Sequence, residues 1–136
     1  MSKQCSKAMS QKISIMNALD RKSKDLVPPD LLVKKAAAIT LKGNFVDLDT
    51  GAQNASIAVN FMGALPVSRA VILIMRSGIG SAIINIASTL CKLAVENASA
   101  YRASKGELLQ LSRAMALDHT KDCKRVNPIS RGPVRN

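Results

Sequence analysis

The sequence predicts an α/β fold built on a small parallel sheet, and two observations carry that prediction. Short apolar runs that suit buried strands alternate with longer segments whose apolar residues recur with the 3.6-residue period of a helix. The order strand, helix, strand, helix, strand is typical of parallel βαβ units with right-handed crossovers. With 136 residues, the chain has room for a single domain, which we expect to hold about three strands and two long helices.

The chain divides into two parts. Residues 1–29 form a basic segment, expected to be helical or partly disordered, that the pair Pro28-Pro29 ends. Residues 30–136 form the folded domain. Its predicted elements, in order, are a strand over residues 30–33, a helix over 52–76, a strand over 82–87, a helix over 98–120 and a strand over 125–130.

The central strand is the clearest of these elements. Its run Ala-Ile-Ile-Asn-Ile-Ala at residues 82–87 is continuous rather than alternating, which predicts a parallel strand buried on both faces. The preceding Ser77-Gly78-Ile79-Gly80 looks like the end of a phosphate-binding loop. Such a loop needs a helix directly behind it, and here a strand follows, so we interpret the two glycines as a helix-to-strand turn.

Composition excludes several classes of function. Twenty Lys and Arg against nine Asp and Glu give a net charge of +11, but aromatic residues are only 2% of the chain and no zinc-knuckle or helix-turn-helix pattern is present. We therefore expect weak, salt-sensitive binding of polyanions and no specific nucleic-acid site. Three cysteines without a CxxC pair and a single histidine favour a reducing compartment and predict no metal site.

Location follows from the same composition. The longest apolar runs, residues 70–75 and 82–90, are shorter than the roughly 18–20 residues of a membrane-spanning helix, so we expect no membrane span. The first residues lack the apolar centre of a secretory signal. We expect a cytoplasmic protein, with a mitochondrial one as the alternative because the opening segment is basic.

Three features of the sequence indicate a catalytic site. Tyr101 and Lys105 stand four residues apart on one helix face, where an ammonium favours the phenolate form of a tyrosine and suits it to give and take a proton. Ser88 follows the central strand, at the edge where parallel α/β sheets carry their sites. Asn60 lies inside the long helix, where asparagine is a poor helix former.

In this combination the sequence resembles the short-chain dehydrogenase/reductase family. The matching stretches are IAVNFMGALPVSRAV, SAIINIAS, NASAYRASKGELLQLSRAMALD and KRVNPISRGPVRN, within residues 47–136, and residues 30–37 look like the family's central strand. The resemblance implies a partial Rossmann-like, doubly wound parallel sheet. It also implies an NAD- or NADP-dependent oxidoreductase that interconverts a small alcohol and a carbonyl compound.

The resemblance assigns roles to four residues. Tyr101 would exchange a proton with the substrate oxygen, and Lys105 would favour its phenolate form and bind the nicotinamide ribose, so that both also contact the cofactor. Ser88 would polarise the substrate carbonyl, and Asn60 would hold a water in a proton relay. Family members commonly dimerise through the two helices that match residues 52–76 and 98–120, which implies a homo-oligomer or association with an intact homologue.

Several positions depart from the family pattern: Lys34, Lys35 and Ala37 at the end of the first strand, Pro66 in the long helix, Cys123 and Lys124 before the last strand, Pro128 within it, and Arg131. A proline inside a helix costs about 3 kcal/mol, and a proline in a strand cannot donate to the ladder. The family's TGxxxGxG dinucleotide loop would precede residue 1. We therefore expect a truncated member, inactive or weak alone, and the alternative is a non-catalytic homologue that acts only by association.

Overall fold

The structure is a computed structural model that describes residues 27–38, 43–78 and 80–132. Its strands are β1 (Leu31–Lys34), β2 (Ser81–Ile86) and β3 (Lys124–Ile129). Its helices are α1 (Thr50–Ile57), α2 (Ala64–Met75) and α3 (Ser99–Asp118), and a π-helical segment (Ala58–Met62) joins α1 to α2. A short 3-10 turn, Thr89–Cys91, follows β2. Most of the predicted segment 1–29 lies outside the described residues, and the proposed division into two parts stays a prediction.

The three strands form one parallel sheet in the order β1-β2-β3. Leu32 pairs with Ile83, and Ile83 pairs with Val126, so the three strands stand in register. The α/β class, the parallel sheet and the alternation of elements are confirmed. The strand and helix bounds differ from the predicted ones by one or two residues.

The hydrophobic core lies on one face of the sheet, between the strands and the helices α2 and α3. It consists of Val71, Ile72 and Met75 from α2, Met115 from α3, Ile83 from β2 and Val126 from β3. All of these side chains are aliphatic, as a chain with 2% aromatic residues requires. The core therefore fixes both long helices over the same face.

The opposite face of the sheet is only partly covered by described residues. Ile84 and Ile86 of β2 are half-buried there, and Leu31 and Val33 of β1 are exposed. The prediction that β2 is buried on both faces is therefore wrong for one face. The reason is that both crossovers run in the same direction along the sheet, which places both helices on one side.

Pro66 does not break the long helix. The π-helical segment interrupts the helix before it, with Gly63 N–H bonded to the Ala58 carbonyl at 2.9 Å, and α2 begins at Ala64. Pro66 thus lies in the first turn of α2, where backbone N–H groups lack partners within their own helix. The expected penalty for Pro66 is avoided.

Pro128 is tolerated because β3 pairs on one side only among the described residues. Ala87 N–H donates to the Ile129 carbonyl at 2.9 Å, so the backbone groups of Ile129 point toward β2. Successive peptide groups of a strand alternate in direction, which turns the nitrogen of Pro128 away from β2. No hydrogen bond between β2 and β3 is lost.

Among the described residues, three turns carry a residue with a positive φ, and Asn97 has a φ of 56° in the turn before α3. Gly80 has a φ of 65° between α2 and β2, which confirms the helix-to-strand turn predicted there. Cys123 has a φ of 55° in the turn before β3. Lys124 beside it is buried, and its Nζ donates to the Gly78 carbonyl at 2.8 Å.

Among the described residues, the helical stretch Thr50–Met75 is long and apolar enough to cross a membrane by length and composition alone. The expectation of no membrane span counted only uninterrupted apolar runs, and a single helix of this kind is weak evidence for a span. The stretch contains uncharged polar residues and a single charged one, Arg69. Core helices of soluble proteins pass the same test, and part of this stretch packs against the sheet.

Candidate functional site

The predicted site residues gather at the carboxyl edge of the sheet. Asn60 comes from the π-helical segment, Ser88 follows β2, and Tyr101 and Lys105 lie on the first two turns of α3. Parallel sheets carry their sites at this edge because the loops that follow the strands meet there. The described contacts join these elements in three places.

Lys105 makes the first contact, between α3 and β2. The lysine is 1% exposed, and its Nζ donates to the Ile86 carbonyl at 2.8 Å. Burial lowers the pKa of the Lys105 ammonium below its ordinary value, because the charged form loses its hydration. An ammonium has three N–H donors, and this contact uses one of them.

Asn60 makes the second contact and is fully enclosed by hydrogen bonds. Its Oδ1 accepts from the Ala38 N–H at 2.6 Å, and its Nδ2 donates to the Ala38 carbonyl at 2.9 Å. Nδ2 also lies 3.0 Å from Ser104 Oγ and 3.3 Å from Ser56 Oγ. The side chain therefore ties the chain beyond β1 to the start of α3. Because its amide is occupied, the predicted water-holding role of Asn60 stays a prediction.

Ser88 begins the 3-10 turn that follows β2. Its Oγ accepts from the Leu90 N–H at 3.2 Å, which leaves the hydroxyl proton free to donate elsewhere. The Leu90 carbonyl accepts from Arg102 Nε at 3.0 Å, which is the third contact and holds this turn against α3. The buried Ser88 is thus fixed in place beside the first turn of that helix.

Tyr101 is half-buried one turn before Lys105. Among the described residues, no hydrogen bond joins its phenol to Ser88, Lys105 or Asn60. The structure places the four residues on neighbouring elements at one edge, and their catalytic roles stay predictions. The arrangement offers one hydroxyl donor, one phenol and a buried ammonium to a ligand at that edge.

Two residues of this region were missed. Ser104 is fully buried, accepts from Asn60 and donates to the Tyr101 carbonyl at 2.8 Å, so it links the predicted residues. Lys34 ends β1, and burial lowers the pKa of its ammonium to about 8. Ser104 could have been found from its place between Tyr101 and Lys105, whereas the surroundings of Lys34 depend on packing between β1 and α2.

No three His, Cys, Asp or Glu side chains within residues 27–38, 43–78 and 80–132 lie close enough together to hold a metal ion. His119 pairs with Asp122 at 3.0 Å near the end of α3, away from the carboxyl edge. The hydrogen bond from His119 holds the pKa of the Asp122 carboxyl below its usual value. This pair is an exposed contact of the helix end.

Known proteins match most of the chain. The family model described as enoyl-(acyl carrier protein) reductase matches residues 7–136. L-xylulose reductase of Homo sapiens is 36% identical over 115 residues, which cover 83% of this chain and 46% of that protein. The chain spans about half the length of the curated relatives it matches.

Solved structures likewise match most of this chain over about half of their own length. A 4-hydroxyisoleucine dehydrogenase complexed with NADH and succinate superposes with a TM-score of 0.78 at 32% identity, over 88% of this chain and 56% of that one. ElxO with NADP bound has a TM-score of 0.84 over 91% of this chain and 50% of that one. Its identity is 18%, so it is compared for its fold alone.

Proposed function

Because this chain belongs to the short-chain dehydrogenase/reductase family, we propose that it is an NAD- or NADP-dependent oxidoreductase acting on a small alcohol or carbonyl compound. The observation that carries the proposal is the position of Lys105. Its buried ammonium lies on the Ile86 carbonyl at the carboxyl end of β2, one helical turn from Tyr101. A lysine is seldom buried without a partner of opposite charge, so a functional reason for its position is favoured.

The residues at this edge fit the nicotinamide end of the cofactor. Lys105 has two N–H donors beyond its contact with Ile86, and Tyr101 has a phenol without a hydrogen-bond partner among the described residues. Both would hold the nicotinamide ribose. When bound, the nicotinamide ring supplies or accepts the hydride.

The chain's own residues would carry out the proton transfer to and from the substrate. The Tyr101 phenol would give a proton to a carbonyl oxygen during reduction and take it back during oxidation. Lys105 would favour the phenolate form by its charge. Ser88 would donate its free hydroxyl proton to the same oxygen, and Asn60 would connect the pocket to a water through the proton relay.

The alternative is a chain without turnover of its own. The printed sequence contains no TGxxxGxG loop, and its Gly78 and Gly80 lie at the amino end of β2, opposite the candidate site. Phosphate groups of a dinucleotide bind at such loops through backbone N–H groups and a helix N-terminus. This observation favours weak cofactor binding by the chain alone.

Two measurements test the function. Calorimetry with NADH and NADPH decides whether the chain binds either cofactor, and a dissociation constant in the micromolar range would contradict the weak cofactor binding on which the alternative rests. Carbonyl reduction followed by absorbance of the reduced cofactor then decides activity. We expect Tyr101→Phe to remove at least about 99% of any activity, because a phenyl ring has no proton to give and general acid–base catalysis contributes about 10²–10⁴-fold.

The control for that variant is Lys121→Met. Lys121 is an exposed residue in the turn after α3, and its replacement is expected to leave the rate unchanged. Retention of the full rate in Tyr101→Phe would reject the role assigned to Tyr101.

We also propose that the chain associates with a second copy, or with an intact relative, through α2 and α3. A groove of about 420 Å³ lies between these helices. Its apolar lining is Leu65, Ile72, Leu73, Leu111 and Met115, and its polar lining is Ser68, Arg69, Arg76 and His119. Leu73, one of the lining side chains, is 51% exposed. Contiguous apolar surface of this kind favours a protein contact.

A further inference from the structure

We propose that Lys34 is a carbonyl-reactive amine that captures a small aldehyde as a Schiff base, in a site formed with Ser68 and Asn85. The proposal concerns the carboxyl end of β1 and needs no nicotinamide cofactor. It is therefore independent of the function proposed above for Tyr101 and Lys105.

The amine of Lys34 is held by neutral groups. Its Nζ donates to Ser68 Oγ and, at 3.3 Å, to the Ala64 carbonyl. Ser68 is buried, and its hydroxyl donates to the same carbonyl at 2.6 Å. Among the described residues, no carboxylate lies within salt-bridge distance of Lys34. A lysine held by hydroxyl and carbonyl oxygens can lose its proton without breaking an ion pair.

Burial weakens the charged form of this amine. The side chain is half-buried between β1 and α2, and burial lowers the pKa of its ammonium to about 8. Among the described residues, it donates to Ala64 and Ser68 of α2 and pairs in register with Asn85 of β2, and all three are uncharged. About a tenth of the amine is therefore unprotonated at pH 7, and a neutral amine is the form that attacks a carbonyl carbon.

The neighbouring strand adds an unpaired acceptor. Asn85 pairs in register with Lys34, so the two residues share a face of the sheet. Its Nδ2 donates to Ser112 Oγ at 2.7 Å, while its buried Oδ1 has no hydrogen-bond partner within residues 27–38, 43–78 and 80–132. Buried acceptors are seldom left without partners, and this one could accept the hydroxyl of an adduct on Lys34.

The chemistry balances without any further reactant. The lone pair of Lys34 Nζ forms a bond to the aldehyde carbon, and the carbonyl oxygen takes up a proton to give a carbinolamine. Loss of water then leaves a carbon–nitrogen double bond. Ser68, already bonded to Nζ, can pass the proton from nitrogen toward oxygen. An amine and an aldehyde thus become an imine and water.

The test is reductive trapping on the full chain. The protein is incubated with propanal and sodium cyanoborohydride at pH 7, and peptides are analysed by mass spectrometry for a propyl group on each lysine. Lys35, Lys92 and Lys121 are exposed and serve as internal references. We expect Lys34 to be alkylated at least about tenfold faster than Lys35, because burial favours the neutral form of the Lys34 amine and Ser68 is placed to move its proton.

Three comparisons make the outcome decisive. In urea the preference for Lys34 should disappear, because it depends on the folded environment. Ser68→Ala should slow trapping at Lys34 and leave the three reference lysines unchanged, whereas Tyr101→Phe should leave all four unchanged. Equal rates at Lys34 and Lys35 in the folded chain, or a preference that persists in urea, would overturn the proposal without bearing on the oxidoreductase site.

Discussion

The backbone conformation of Cys123 is unfavourable for any residue that has a side chain. Its φ of 55° lies in the left-handed region, where a Cβ meets the following carbonyl and costs about 1–2 kcal/mol. Cys123 is also one of the positions that depart from the family pattern. The cysteine is exposed, so it gains no packing that offsets the strain.

We therefore expect Cys123→Gly to raise the free energy of unfolding by about 1 kcal/mol, because glycine adopts this conformation without a steric penalty. Urea unfolding followed by circular dichroism measures the change. Cys123→Ser is the matched control, since it removes the thiol but keeps the Cβ, and it should give no gain. Equal stabilisation by serine would show that the thiol, and not the backbone, is the cause.

At the scale of elements, local sequence patterns predicted the strands and helices that depend on local interactions. The apolar run of β2 and the helical period of α3 are properties of short windows, and both elements lie within two residues of their predicted bounds. The π-helical segment around Asn60 was not predicted, because it exists where the asparagine reaches Ala38, 22 residues away in sequence. The outward-facing nitrogen of Pro128 likewise depends on the pairing of β3.

The candidate site, too, was predictable from the sequence only in part. Spacing alone places Tyr101 and Lys105 on one helix face, and strand ends place Ser88 at the carboxyl edge. Burial of Lys105 under the Ile86 carbonyl, and of Lys34 beside Ser68, needed the packing of helices on the sheet. No window of sequence contains those contacts.

Asn60 gives a prediction about how elements are joined. In Asn60→Ala the N–H and the carbonyl of Ala38 lose their partners, and Ser104 loses a donor. We expect the free energy of unfolding to fall by about 2 kcal/mol, given that each unsatisfied group costs about 1–3 kcal/mol and that Ala38 is partly open to water.

The control for Asn60 is Asn127→Ala. Asn127 is an exposed asparagine of β3, and its replacement should change stability by less than about 0.5 kcal/mol. Urea unfolding of both variants gives the comparison. An Asn60→Ala loss no larger than that of Asn127→Ala would mean that the contacts with Ala38 contribute little to the join between β1 and α3.

At the scale of the whole molecule, two surfaces are candidates for the contact between associated chains. The helix surface presents the groove between α2 and α3, and the sheet surface presents Leu31, Val33 and Ile129. Both surfaces expose apolar side chains, the groove beside Arg69 and Arg76, and the chain's net charge of +11 opposes association through either. Salt screens that repulsion, so association through apolar contacts should strengthen as the salt concentration rises.

Two substitutions of equal exposure separate these surfaces. Leu73 on the helix surface and Val33 on the sheet surface are each 51% exposed, so a lysine at either position enters a comparable environment. We expect the unsubstituted chain to sediment as an oligomer. Leu73→Lys should shift it toward monomer, because an ammonium in the groove must be desolvated when a second copy covers α2 and α3. Val33→Lys should leave the oligomer assembled. Sedimentation velocity at low and high salt makes the measurement. A monomeric unsubstituted chain would contradict the proposed association, and dissociation by Val33→Lys alone would move the contact to the open face of the sheet.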